Sequence, residues 1–258
     1  MTAVKLAHLT WPEAEALRER DDVIGLIPTG SLEQHGPHLP LGTDFLAAEA
    51  LADAIAERLP ATVVVTPVLT AGLSDHHLAF PGTVTLPGDA FRAWVEAHIA
   101  ALERIGVGRI AVFSGHGGNF AAIGEIAADH AAHGGGTRVI AYEDVHAFIA
   151  VMTAAATARG IEVAPSDGHA GVLETSFALA RFAPQLVRDF EGVEGYTAAE
   201  PDWELRMMTE GIDALSPTGV LGDPSHSSAE IGEAIFEALV DELSGWIARE
   251  LALAGDPA

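Results

Sequence analysis

Apolar and polar positions along this chain alternate between two rhythms, short near-continuous apolar runs and longer stretches of helical periodicity. Val23-Ile24-Gly25-Leu26-Ile27-Pro28 is apolar throughout and rich in β-branched residues, the mark of a strand covered on both faces. The pattern then predicts a helix from Phe45 to Arg58 before Val63-Val64-Val65, and another from Ala90 to Arg104 before Arg109–Phe113. A third runs from Phe120 to about Ala132 before Val139-Ile140-Ala141, and the last from Ala229 to Leu251. Strand and helix in alternation predict an α/β fold of three layers, a mostly parallel central sheet with helices on both faces. No repeat, low-complexity segment or long linker interrupts the pattern, so residues 1–258 are expected to form one domain. Between Glu191 and Pro217 the rhythm lapses into a polar, turn-rich stretch carrying Trp203, which reads as a lid or an oligomer contact.

Composition narrows the chemistry. A formal charge of -24 with a single lysine, Lys5, leaves no basic face for phosphates, which argues against nucleic-acid binding. The acidity fits a high-salt habitat, a preference for cationic partners or an ordinary solvated surface. Neither a membrane-spanning run nor a signal-peptide core is present, so a cytoplasmic protein without membrane partners is expected. Cysteine is absent, which leaves nitrogen and oxygen donors for any metal; zinc, manganese or iron would suit them.

Three polar loops stand where strands end. Gly30-Ser31-Leu32-Glu33-Gln34-His35-Gly36-Pro37-His38-Leu39-Pro40-Leu41-Gly42-Thr43-Asp44 follows the first buried strand and sets Glu33, His35 and Asp44 close together, a density that suggests a divalent metal site. Gly115-His116-Gly117-Gly118-Asn119 opens a helix with glycines that permit close backbone approach to a ligand. In Asp167-Gly168-His169-Ala170-Gly171-Val172-Leu173-Glu174, the spacing of His169 and Glu174 does not fit one helix face. His169 is therefore placed in the loop and Glu174 in the first helical turn. Any one of these loops could be a capped turn, but three histidine-bearing loops together favour a metal site. His76, in Ser74-Asp75-His76-His77, is expected in the pocket, while His38 is as well suited to hydrogen-bonding behind the ligands as to ligation. His98, His130 and His133 read as solvated, and Trp94 and Trp246 as core or interface.

These loops, with Phe80-Pro81-Gly82-Thr83 and His169-Ala170-Gly171-Val172-Leu173-Glu174-Thr175-Ser176, resemble the creatininase (creatinine amidohydrolase) family from about Leu9 to the helix ending near Leu251. The resemblance implies a hydrolase with two divalent ions that cleaves a carbon–nitrogen amide bond, in a homo-oligomer, often a hexamer. It implies Glu33, His35, Asp44 and His116 as metal ligands, Asp44 as the bridge, and His169 as a catalytic histidine that protonates the departing nitrogen. Where creatininase carries a further ligating glutamate this chain has Gly118, so Glu174 is the candidate to complete the metal set or to carry the water's proton. His76, Gly117, Gly118 and Asn119 are expected to line the substrate pocket. Creatininase's tryptophans are matched by Pro165 and by Val145 or a neighbour, which disfavours creatinine and points to a formamide or a precursor peptide such as that of mycofactocin. Two rivals remain open, a hydrolase of a cyclic polyol ketone or lactone on the same scaffold and a non-catalytic metal-binding protein.

Overall fold

The computed structural model describes residues 2–133, 136–198 and 200–253. Five strands form the sheet: β1 (Thr2–Lys5), β2 (Val23–Thr29), β3 (Thr62–Val65), β4 (Arg109–Ser114) and β5 (Arg138–Ala141). Their order is β1-β3-β2-β4-β5 and every pairing is parallel. The helices are α1 (Trp11–Ala16), α2 (Thr43–Arg58), α3 (Gly88–Arg104), α4 (Phe120–Ala132), α5 (Val145–Thr157), α6 (Val172–Arg181), α7 (Trp203–Glu210) and α8 (Ala229–Glu250). The expected α/β architecture is the observed one. The predicted helix and strand bounds fall within a residue or two of the observed ones, but β1, α1, α5 and α7 go beyond the pattern.

All seven positions of β2 are buried, which is why its apolar run does not alternate. Its side chains divide by parity between two cores. Ile24 and Leu26 join Val63, Val65, Ala111 and Phe113 beneath α2, α5, α6 and α8. Val23 and Ile27 join Val64, Ile110 and Val112 beneath α3 and α4. From β2 the chain crosses through α2 to β3 on one side; from β3 it crosses through α3 to β4 on the other side of β2. The loops leaving the C-terminal ends of β2 and β4 consequently diverge, opening the crevice in which α/β sheets place their ligands.

The segment read as a lid or contact contains α7, which leaves Leu205 and Met208 exposed. Among the described residues no helix is long and apolar enough to cross a membrane.

Candidate metal centre

Two glycines let the crevice close tightly. A Cβ on Gly30 would stand 2.5 Å from the Cα of Phe45, and one on Gly115 would stand 2.5 Å from the carbonyl oxygen of Asp44. The start of α2 is thus pressed against the ends of β2 and β4. Asp44 lies in the first turn of α2, where the positive end of the helix dipole favours a carboxylate. Glu33 and His35 come from the loop after β2 and His116 from the loop after β4. Glu33, His35, Asp44 and His116 are all buried, none more than 3% exposed.

The four converge. His116 Nδ1 is 3.2 Å from Glu33 Oε1 and 3.2 Å from Asp44 Oδ2. On the other side of Asp44, His35 Nε2 is 2.9 Å from Oδ1 and 3.6 Å from Glu174 Oε2. Asp44 therefore turns one carboxylate oxygen to each histidine. Glu174, in the first turn of α6, accepts a hydrogen bond from the Ala170 backbone N–H at 2.6 Å. Despite these close approaches, both Glu33 oxygens, His35 Nε2 and Asp44 Oδ2 lack a hydrogen-bond partner while buried. Polar atoms in that condition cost free energy unless something else satisfies them.

Charge tells the same story. Burial opposes ionisation of Glu33, but His116 and His77 outweigh it and hold the carboxyl down at about 2, against the opposing charge of Asp44. Burial likewise disfavours the Asp44 carboxylate, yet His35 and His116 keep it at about 2. Burial disfavours a charge on His35 too, but Asp44 lifts it to about 10; His116 also rises well above the ordinary value against its burial, lifted by Glu33 and Asp44. Glu174 is pushed up to about 7 by burial. Without a cation, protons on His35 and His116 balance the carboxylates, and divalent ions can take their place.

His169 stands in the loop before α6 and closes the centre from above, its ring 4.2 Å from that of His35 and 4.4 Å from that of His77. Its Nε2 lies 2.7 Å from the Gln34 backbone carbonyl oxygen, which can only accept, so that nitrogen carries the hydrogen. The lone pair is then on Nδ1, which faces Glu33 Oε1 at 3.8 Å. Burial holds His169 neutral, well below its ordinary pKa.

The remaining expected pocket residues divide. His76 is buried, its ring stacked over that of His116 at 5.9 Å. A Cβ on Gly117 would make only ordinary contact, with Val145 Cγ2 at 3.9 Å, whereas one on Gly118 would meet Leu73 O at 2.3 Å and His116 Nε2 at 2.6 Å. No side chain, ligating or otherwise, fits at 118. Asn119 faces inward as a bracket: its Oδ1 accepts from Leu73 N at 3.0 Å and its Nδ2 donates to Gly30 O at 3.1 Å. Pro165 is exposed. His38 is buried, its Nε2 2.8 Å from Thr175 Oγ1. Two residues that the sequence reading does not single out are central: His77, whose Nε2 is 3.2 Å from Glu33 Oε1, and Gln34, which bridges His77, His169 and Gly219.

Comparison with known proteins places this geometry. The chain is 34% identical over 228 residues to the mycofactocin precursor peptide peptidase of Mycolicibacterium smegmatis, covering 87% of this chain and 84% of that one. It is 30% identical to the creatinine amidohydrolase of Pseudomonas putida over 96% of this chain and 97% of that one. A solved structure described as creatininase Mn superposes with a TM-score of 0.77 at 28% identity, covering 96% of this chain and 99% of that one. The family model described as Creatininase: Creatinine amidohydrolase matches residues 7–247, and the chain belongs to this family of hydrolases acting on carbon–nitrogen bonds.

Proposed function

We propose that the protein hydrolyses a peptide-like amide with the help of two divalent cations. The observation that carries this reading is the set of buried polar atoms without partners, Glu33 Oε1 and Oε2, His35 Nε2 and Asp44 Oδ2, gathered at one point. Glu33, His116 and one oxygen of Asp44 would hold one ion; His35, the other Asp44 oxygen and Glu174 would hold the second. When bound, such ions lower the pKa of water and polarise an amide carbonyl. Manganese is the metal named for the creatininase structure above, and zinc or iron also suits nitrogen and carboxylate donors.

The chain's own contribution to the chemistry centres on His169. With its Nε2–H anchored on the Gln34 carbonyl, Nδ1 is free to take a proton from the attacking water and to return it to the departing nitrogen, which leaves poorly as an anion. Beside Glu174 the centre adjoins a narrow, mostly apolar cleft lined by Gly117, Val145, Phe148, Ile149 and Gly168. Aliphatic and glycine walls suit an extended chain with an apolar side group better than a flat polar ring. A peptide-like amide is also what the mycobacterial relative's name describes.

The test is metal analysis joined to turnover on a panel of peptide-like amides, formamides, creatinine and a lactone. The expected result is about two divalent ions per chain and hydrolysis of a peptide-like amide that stops on chelation and returns with manganese or zinc. Creatinine should be poor. Efficient creatinine turnover, with kcat/KM of roughly 10⁴ M⁻¹s⁻¹ or more, overturns the substrate assignment. Undiminished turnover by metal-stripped protein overturns the mechanism.

A further inference from the structure

Three groups of side chains in the crevice offer ligand atoms that lie within 4.8 Å of one another: Glu33, His35 and Asp44; His35, His169 and Glu174; and Glu33, His77 and His169. By distance alone the third could hold a cation as well as the others. Its hydrogen-bond inventory says otherwise.

Gln34 settles the matter. Its Oε1 accepts the Gly36 backbone N–H at 3.0 Å and its Nε2 lies 3.0 Å from Gly219 O. Exchanging the two amide atoms would set an amide nitrogen against the Gly36 N–H and an oxygen against the Gly219 carbonyl, so the orientation of the amide is fixed. Gly219 stands at φ 75, and a Cβ there would come within 2.1 Å of Gln34 Oε1, so the backbone itself forms the cradle. Gln34 Nε2 has two hydrogens and three neighbours: Gly219 O, His77 Nδ1 at 2.9 Å and His169 Nε2 at 2.9 Å. His169 Nε2 already carries a hydrogen, given to Gln34 O, and cannot accept. The two hydrogens therefore go to Gly219 O and His77 Nδ1.

We infer that Gln34 is a positioning residue that fixes the proton of His77 on Nε2, toward Glu33, and thereby keeps His77 from ligating a metal. A nitrogen carrying a hydrogen has no lone pair for a cation. His77 instead turns that N–H toward Glu33 and helps hold its carboxylate negative, in the manner of groups that orient ligands from behind. Because Nδ1 accepts from the Gln34 amide, the ring has one hydrogen, and it stands on Nε2. Cation binding is thus left to Glu33, His35, Asp44, His116 and Glu174, without His77.

The inference rests on the metal-hydrolase reading only for where the ions sit; the hydrogen on His77 can be read whatever the protein hydrolyses. Neutron diffraction from crystals of the zinc-loaded protein in D₂O shows it directly. Deuterium is expected on His77 Nε2 and absent from Nδ1, with no zinc at the Glu33–His77–His169 group even at excess zinc. In Gln34→Glu the new carboxylate accepts where the amide donated, and the deuterium should move to His77 Nδ1. Deuterium on Nδ1 in the unaltered protein, zinc between His77 and Glu33, or an unmoved deuterium in Gln34→Glu overturns the assignment. Should that variant fail to fold, the unaltered protein alone decides. Failure of the hydrolase reading would look different: no metal bound and no amide turned over, with the His77 hydrogen still in place.

Discussion

The two sides of the carboxylate centre are built in different ways. Glu33, His35, Asp44 and His116 stand where β2 and β4 end, and the sheet continues its hydrogen bonding into them: Gly30 N donates to Leu69 O and Gly115 N to Thr29 O, each at 2.9 Å. His169 and Glu174 lie outside the sheet, on a loop and the first turn of α6, where side chains do the holding. Asp167 Oδ2 accepts from Val172 N at 2.9 Å, Glu174 Oε2 from Ala170 N at 2.6 Å, and Thr175 Oγ1 donates to Ala170 O at 3.2 Å. Between them Ala170 takes φ 58, a left-handed conformation that costs a residue with a Cβ on the order of 1 kcal/mol. Sheet backbone thus places Glu33, His35, Asp44 and His116, and a strained, side-chain-braced loop places His169, the proposed proton carrier.

That contrast predicts where damage should be most complete. Asp44 turns one oxygen to His35 and the other to His116, so Asp44→Ala should abolish binding of both ions and lower kcat/KM by more than about 10³-fold, the worth of several kcal/mol of electrostatic stabilisation. Elemental analysis checks it. Full occupancy in Asp44→Ala means that Asp44 is no bridge.

On the loop side the two residues should separate. His169→Ala is expected to keep its metal and slow turnover by about 10²–10⁴-fold, while Glu174→Gln should lose metal affinity, because an amide cannot balance a dication. Metal analysis beside single-turnover rates distinguishes them. The reverse pattern, metal lost with His169 and kept with Glu174, would make His169 the ligand and Glu174 the proton carrier.

Much of this was legible beforehand, for a physical reason. Parallel strands reveal themselves by continuous apolar runs, and the polar residues just beyond their ends must lie at one edge of the sheet, which delivers Glu33, His35, Asp44 and His116. His169 and Glu174 were legible through their motif and through helical periodicity, which puts Glu174 in a first turn. His77 was not, because Asp75–His77 is a single 3-10 turn and sequence does not say which of two adjacent imidazoles enters the centre. Gln34 was less legible still. Its partners His169 and Gly219 lie 135 and 185 residues away in the chain, and only the folded arrangement brings them to one amide. Helix α5 escaped because its run of alanines, threonines and apolar residues has no clear polar face to give it a period.

Asp167 lets pH probe the braced loop alone. Burial raises its carboxyl to about 7 despite the backbone N–H groups of Val172 and Leu173 that favour the charge. The folded protein thus keeps a proton that the unfolded chain releases near 3.8. The folded pKa is the higher one, so the associated stability is complete below about pH 4 and is lost as pH rises toward 7. Metal-free protein should therefore lose stability relative to Asp167→Asn across that window, by at most about 4 kcal/mol. Parallel urea-unfolding series at pH 4, 5.5 and 7 measure the difference. A constant gap between the two proteins removes Asp167 as the source.

The smallest effects test rigidity against strain most directly. Gly115→Ala puts a methyl group onto the Asp44 carbonyl on the sheet side, where backbone must give way, and should cost about 1–3 kcal/mol with weakened metal binding. Ala170→Gly does the opposite on the loop side. It relieves the left-handed conformation but frees the unfolded chain, two terms of similar size and opposite sign, so stability should change by less than about 1 kcal/mol. What glycine takes away is the restraint on the turn between His169 and Glu174. The rate should therefore fall severalfold while metal content holds, as it does when only the proton-carrying group is loosened. If Ala170→Gly instead loses metal along with rate, the loop positions the ligands as firmly as the sheet does and the two sides of the centre are not independent.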